Sequence, residues 1–291
     1  METDRSSFCG CKGIRTCLEC EKLYGILNRN DSIYYRLDYS PYFYCHDCDL
    51  CWPGWDGQIH GNHTGQPLSV DGIHVRPDFL TPAEETRLTR ALDALPWDVS
   101  QSGRRKQNFG PKCNFKKRRL RLGNFKGFPV STKFVQEKFE NVDILEGYQT
   151  IEQCSLEYDP KRGASIDAHI DDCWVWGERI VTVNLLSDSV LSLTRYKAAG
   201  PLKYNLALAP AETTAMPELE RILVRIPMPR RSLIVLTGDA RYGWEHQIFR
   251  DDVTSRRVCV AYREFTPPFL PGGEQEEEGR RITEIAQNSW F

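Results

Sequence analysis

His169 and Asp171 stand two residues apart in Asp167-Ala168-His169-Ile170-Asp171, and a lone histidine, His246, follows 75 positions after Asp171. In an extended segment residues i and i+2 point to the same face, so His169 and Asp171 can grip one ion while Ile170 turns away into packing. Two histidines and one carboxylate on one face of an octahedral metal leave three positions open, the arrangement used by non-haem Fe(II) oxygenases. His-x-Asp by itself arises often by chance. The order gives it weight: His-x-Asp, a β-rich stretch, a lone His, then Arg257 and Arg263. At period two, a strand across 257–263 puts Arg257, Cys259, Ala261 and Arg263 on one face and Val258, Val260 and Tyr262 on the other. Two arginines that point into an interior need anions to meet them. On a half-exposed edge strand they would simply be solvated.

Holding these residues together takes many short strands. From Thr150 onward the chain reads as strands at about 151–158, 179–186, 189–195, 221–226, 232–237 and 256–263, rich in Val, Ile and Leu. Ahead of them, Ile73-His74-Val75 reads as an entering strand. Thr81-Pro82-Ala83-Glu84 then supplies an N-cap, a first-turn proline and a capping-box glutamate. Leu88, Ala91, Leu92 and Leu95 follow at helical spacing until Pro96, and a shorter helix is expected around 132–139. Helices first and short strands after predict an α+β, mainly β fold, a double-sheet barrel with helices packed outside. The expected division is a cysteine-rich segment over 1–55, a main domain over 70–265, and a mobile acidic end over 266–291 carrying Glu274, Glu276, Glu277 and Glu278.

Seven of the eleven cysteines fall in the first 51 residues. Cys9, Cys11, Cys17 and Cys20 follow C-x-C-x5-C-x2-C, four thiolates close enough in sequence to enclose a tetrahedral Zn²⁺. Cys45-His46-Asp47-Cys48-Asp49-Leu50-Cys51 also holds ligand types but shows no definite fourth member. It reads equally as ordinary thiols, as a differently distributed metal site, or as an iron–sulfur module. No apolar run approaches the roughly 18 residues of a membrane span, and 1–5 lacks a signal peptide's layout. A cytoplasmic and nuclear location with no membrane partner is the expectation, and there the cysteines would not form a disulfide framework.

Charged residues make up 27% of the chain, yet the net charge is −2, so the overall balance names no partner. Its distribution does. Arg104 to Arg121 holds nine Lys or Arg in 18 residues (Arg104, Arg105, Lys106, Lys112, Lys116, Lys117, Arg118, Arg119, Arg121) and no acid, with Phe109 and Phe115 among them. Basic charge with aromatic interleaving suits nucleic acid, and it suits an acidic protein surface equally well. Lys116 to Arg119 could serve nuclear import, or the stretch could be a solvated loop. Arg104, Arg105, Phe109, Lys116, Lys117, Arg118 and Arg119 are the candidate substrate contacts.

Ile166 to Asp172, the Arg257-x5-Arg263 pair, Tyr158-Asp159-Pro160 and Ser102-Gly103-Arg104-Arg105-Lys106-Gln107-Asn108-Phe109-Gly110 together resemble the AlkB-type 2-oxoglutarate- and Fe(II)-dependent dioxygenases. The segment from Cys9 to Cys20 and Trp174-Val175-Trp176-Gly177-Glu178-Arg179 resemble that family's homologue-four subgroup. The resemblance implies a double-stranded β-helix (jelly-roll) core. It implies Fe(II) on His169, Asp171 and His246, 2-oxoglutarate as cosubstrate, and oxidative removal of an N-methyl group as formaldehyde. Arg257 would pair with the distal cosubstrate carboxylate in two bonds, and Tyr158 would donate to it as well. Arg263, about 20 Å along the strand, would serve the iron-proximal end or the substrate. Where the family often has Asn-x-Tyr, this chain has Leu156-Glu157-Tyr158. The subgroup resemblance implies methyl-lysine in a protein as substrate, with actin as the candidate partner, and N6-methyladenine in DNA as the other substrate. A non-catalytic binding module that keeps the fold is the reading of a different class.

Overall fold

Apolar alternation over Arg257–Phe265 and Trp176–Leu185 sorts their side chains onto two faces, and the architecture follows from what covers each face. The computed structural model describes residues 9–11, 15–26, 32–197, 204, 206 and 217–291. Residues 1–5, read above for targeting, and 12–14 of the cysteine segment lie outside these.

Seven strands form an all-antiparallel sheet in the order Ile73–Arg76, Leu233–Leu236, Trp176–Leu185, Arg257–Phe265, Glu152–Tyr158, Arg105–Phe109 and Asp98–Val99. Six more run Leu50–Pro53, Ser40–Cys45, Ile222–Met228, Ser189–Arg195, Trp244–Ile248 and Ile166–His169. Only the pairing of Ser40–Cys45 with Ile222–Met228 is parallel in this second sheet. Ile180, Ile234, Leu236 and Cys259 from the first sheet share one core with Leu191, Leu193, Val224, Ile226, Trp244 and Ile248 from the second. This is the expected double-sheet, jelly-roll core, α+β and mainly β.

The other face of the seven-stranded sheet, with Val181, Val183, Val258, Val260 and Tyr262, packs against Leu88, Leu92, Val135 and Phe139 from outside helices. The helix Pro82–Asp93 starts as its sequence requires. The Thr81 side chain accepts from the Glu84 backbone N–H, and Glu84 reaches back to the Thr81 N–H. Leu88 and Leu92, one turn apart, are buried on the sheet side. The shorter helix is present at Lys133–Glu137, framed by 3-10 turns.

Two expectations need correction. The acidic end is not a loose tail, because Glu276–Asn288 is a helix with Ile282 and Ala286 buried. Three consecutive glutamates in its first turn complement the helix dipole, and Gly279 lets it approach so closely that a Cβ there would lie 1.9 Å from the Phe269 carbonyl oxygen. Nor is 1–55 a separate segment, since Ser40–Cys45 and Leu50–Pro53 are strands of the core sheet.

Candidate metal centre

Trp244–Ile248 pairs antiparallel with Ile166–His169 so that His246 lies opposite His169, their ring centroids 4.2 Å apart. Asp171 follows just past the strand end, with Oδ1 4.0 Å from His169 Nε2. The ligand atoms of all three lie within 4.8 Å of one another. Ile170 turns the other way, packed with Cys173 and Tyr242, as the period-two reading required. His169 Nδ1 lies 2.8 Å from the Asp167 carbonyl, which can only accept, so Nδ1 carries the proton and Nε2 keeps its lone pair for the site.

The charge states fit a divalent ion. Burial lowers the pKa of His169, and burial followed by the nearby His169 pushes His246 well below the usual histidine range. Burial opposes the charge on Asp171, but Arg263 first and then the two histidines hold that carboxyl well below the usual range. All three donors are therefore deprotonated at neutral pH, as metal binding demands. Arg263 Nε and Nη2 reach the two Asp171 oxygens at 3.1 and 3.2 Å, and Nη1 reaches Glu152 at 2.6 Å. Arg241, fully inside the protein, donates to the carbonyls of Asp171, Trp176 and Gly177 and so pins the loop carrying the carboxylate ligand. Trp174 in that loop and Trp176 at the start of the next strand are core residues.

A single cavity is lined by His169, Asp171, His246, Arg263, Tyr158 and Arg257. Arg257, Cys259, Ala261 and Arg263 all face it, so the alternation across this strand is as expected. Arg257 is 1% exposed and pairs with no carboxylate among the described residues. Its Nε donates to Asn184 Oδ1 at 2.7 Å and Nη2 approaches Met228 Sδ at 3.5 Å, while Nη1 is buried without a hydrogen-bond partner. The guanidinium lies over the Tyr158 ring, 4.8 Å from its centroid, and burial raises the Tyr158 pKa, keeping its hydroxyl protonated as a donor. A buried cation with an unused N–H calls for an anion. Leu156, where the family often has Asn, lines the same cavity as an apolar wall.

The sequence has relatives among known proteins. A Homo sapiens protein described as alpha-ketoglutarate-dependent dioxygenase alkB homolog 4 is 41% identical over 292 residues, spanning 96% of this chain and 93% of its own. The chain belongs to the AlkB-type 2-oxoglutarate-dependent dioxygenases. The Mus musculus protein of the same description is 40% identical over 294 residues, with the same coverage. A Caenorhabditis elegans DNA N6-methyl adenine demethylase is 28% identical over 286 residues, covering 93% of this chain and 91% of its own. No family model matches the chain.

In this AlkB-type enzyme the basic stretch divides into parts with different fates. Arg104 is buried beside the Tyr158 ring and donates to the Gln101 carbonyl, so it belongs to the interior of the site and not to a substrate-facing surface. Arg105 is tied to Glu157 at 2.7 Å, and Phe109 packs toward Phe291. Arg104 is a correction; Arg105 and Phe109 stay half-buried, and the sequence showed no acid beside Arg105 because Glu157 comes from the neighbouring strand. Lys116, Lys117, Arg118 and Arg119 remain exposed, on the hairpin of Lys112–Asn114 and Arg119–Arg121, with Phe115 49% exposed at its turn. The Arg118 charge is near enough to favour the charged form of Asp172, the residue after Asp171.

Glu157 itself is a site of stability. Burial would raise its pKa, but Arg105, Arg162 and Arg256 hold it down at about 2, with Arg162 and Arg256 at 2.6 and 2.8 Å. A lowered folded-state pKa stabilises the fold above the ordinary glutamate range and loses that stabilisation as pH falls toward about 2. Glu157→Gln should thus cost about 2 kcal/mol at neutral pH, allowing for solvent screening of the half-exposed arginines. The gap to wild type should close as pH drops from about 4.5 toward 2, as followed by denaturant unfolding. A gap constant over that range would exclude the Glu157 charge as its source.

The N-terminal thiols of Cys9, Cys11, Cys17 and Cys20 come together as the spacing suggested. Cys9 Sγ lies 3.4 Å from Cys20 and 3.6 Å from Cys17, and Cys17 lies 3.7 Å from Cys20. Edges of a ZnS₄ tetrahedron with 2.3 Å bonds are about 3.8 Å, so the four sulfurs can hold a tetrahedral ion. Gly10 N–H donates to the Ser100 carbonyl, and Glu21 of the following helix pairs with Arg250 at 2.7 Å, fastening this cluster to the dioxygenase sheets.

Proposed function

We propose that this dioxygenase is an Fe(II)- and 2-oxoglutarate-dependent N-demethylase acting on methyl-lysine in a protein, with actin the candidate partner. The observation that carries the cosubstrate part is Arg257: a buried guanidinium with an unsatisfied N–H, in the same cavity as His169, Asp171 and His246. Bound Fe(II) with 2-oxoglutarate and dioxygen supplies the oxidation that turns an N-methyl group into N-hydroxymethyl, which leaves as formaldehyde, while the cosubstrate becomes succinate and CO₂. The chain's own residues do the positioning. His169, Asp171 and His246 would hold the ion, with the Asp167 carbonyl fixing the His169 tautomer and Arg263 fixing both oxygens of Asp171. Arg257 and the Tyr158 hydroxyl receive the distal carboxylate, and the aliphatic walls of Leu156, Ile166, Ile180 and Leu236 exclude water.

The substrate reading rests on two features. With Phe109 half-buried beside Phe291, Phe115 is the exposed ring of the basic stretch, whereas base extraction calls for a built stacking pocket. The exposed cations of the hairpin suit capture of an acidic protein surface. DNA carrying N6-methyladenine is the second reading, favoured by the relative of that description from Caenorhabditis elegans. Formaldehyde release from methyl-lysine actin, compared with N6-methyladenine oligonucleotides, separates them. Far more efficient release from the oligonucleotides would replace the protein reading with the DNA one. Changing Lys116, Lys117, Arg118 and Arg119 to Ala should raise the KM for the protein substrate roughly 10-fold at low salt, and less at high salt, with substrate-free 2-oxoglutarate turnover unchanged. An effect independent of salt would point to a structural role for the hairpin. A structural zinc on Cys9, Cys11, Cys17 and Cys20 completes the proposal, supported by the sulfur separations above.

A further inference from the structure

Cys45-x2-Cys48 ends a core strand, and His60-x2-His63 lies in a loop with no regular structure that runs over 54–67. The fold brings the two pairs together, their ligand atoms all within 4.8 Å of one another. We propose that Cys45, Cys48, His60 and His63 form a second structural zinc site, independent of the iron centre and of the four-cysteine cluster.

The separations fit a tetrahedral Cys₂His₂ site. Cys45 Sγ lies 3.7 Å from His60 Nδ1, close to the edge of about 3.6 Å expected between sulfur and nitrogen on one zinc. His63 Nε2 is buried and has no hydrogen-bond partner among the described residues, a costly state for a ring nitrogen unless an ion takes its lone pair. Surrounding groups hold the ligands in place. The His63 ring stacks on Trp52 with centroids 4.5 Å apart, and the Trp52 indole N–H donates to Cys48 Sγ at 3.5 Å, as outer partners of metal ligands do. His46 leans toward Asp47 instead, 3.6 Å away, and the fully buried Cys51 stays outside the cluster.

The loop needs such a fastening. Its base is closed by the pair of backbone hydrogen bonds between Cys51 and Leu68 and its start by Trp55, which stacks near Phe249, but Ile59 farther along is 77% exposed and gives that part no core. A metal supplies the stability that a stretch this poor in buried apolar surface lacks. Histidines 60 and 63 were not legible as partners of Cys45 and Cys48, because the C-x2-C and H-x2-H pairs are separated by a loop whose path the sequence leaves open.

Elemental analysis of the full chain, purified without chelator, tests this. Two zinc equivalents are expected besides iron. Combined His60→Ala and His63→Ala should lose one of them, and combined Cys17→Ser and Cys20→Ser the other. The histidine variant should also be cleaved much faster within 54–67 by a trace of protease, with 2-oxoglutarate turnover retained as evidence of an intact core. Full zinc content in the histidine variant, a single equivalent in wild type that this variant keeps, or unchanged cleavage of the loop would overturn the proposal.

Discussion

His246→Ala is expected to leave a protein that folds but neither retains iron nor decarboxylates 2-oxoglutarate. Its imidazole lies opposite His169 across two neighbouring strands, so no other described histidine, cysteine or acid cluster can take its place at this centre. Losing even an outer partner of a metal ligand costs about 10–100-fold in metal affinity, so losing the ligand itself should cost on the order of 100-fold or more. His169→Ala should behave alike. Asp171→Ala should also weaken the fold, since it leaves the Arg263 guanidinium with Glu152 as its remaining acid. Iron content after desalting, with succinate production at saturating 2-oxoglutarate, checks this. Wild-type turnover in His246→Ala would place the reaction elsewhere.

Arg257→Met is expected to separate cosubstrate binding from stability. A charge-assisted pair is worth roughly 1.5–3 kcal/mol, so 2-oxoglutarate should bind about 10- to 100-fold more weakly. Without cosubstrate the variant should be as stable as wild type or more so, because an apolar side chain of similar volume replaces a buried cation whose Nη1 has no partner. Titration of 2-oxoglutarate and thermal unfolding with and without it give both readings. An unchanged cosubstrate constant would show that another group holds the distal carboxylate.

What the sequence revealed follows the range of its signals. The faces of Arg257 to Arg263 and the gripping pair His169 and Asp171 depend on period-two alternation within a few residues, and both appear as read. The capping box at Thr81 and Glu84 is equally local. Glu152, Asn184 and Arg241 were not legible, because each becomes part of the site through strand neighbours distant in sequence. Distance also hid the acid that neutralises Arg105, 52 positions away at Glu157. At the C-terminus, Glu276, Glu277 and Glu278 gave the segment the composition of a solvated tail and masked the spacing of Ile282, Ile285 and Ala286, which seats the helix on the core.

The parallel pairing of Ser40–Cys45 with Ile222–Met228 limits how this chain can be divided. A truncated chain starting at 70, the boundary that composition suggests, would strip Ser40–Cys45 and Leu50–Pro53 from the second sheet. Ile222–Met228 would then become an open edge, its backbone N–H and C=O groups unpaired along one side beside the buried Leu223, Val224 and Ile226. Such an edge templates strand addition between molecules. Insoluble, self-associating protein is therefore the expected product of removing the cysteine-rich start, so loss of activity after such a deletion would say nothing about a catalytic role for the cysteines.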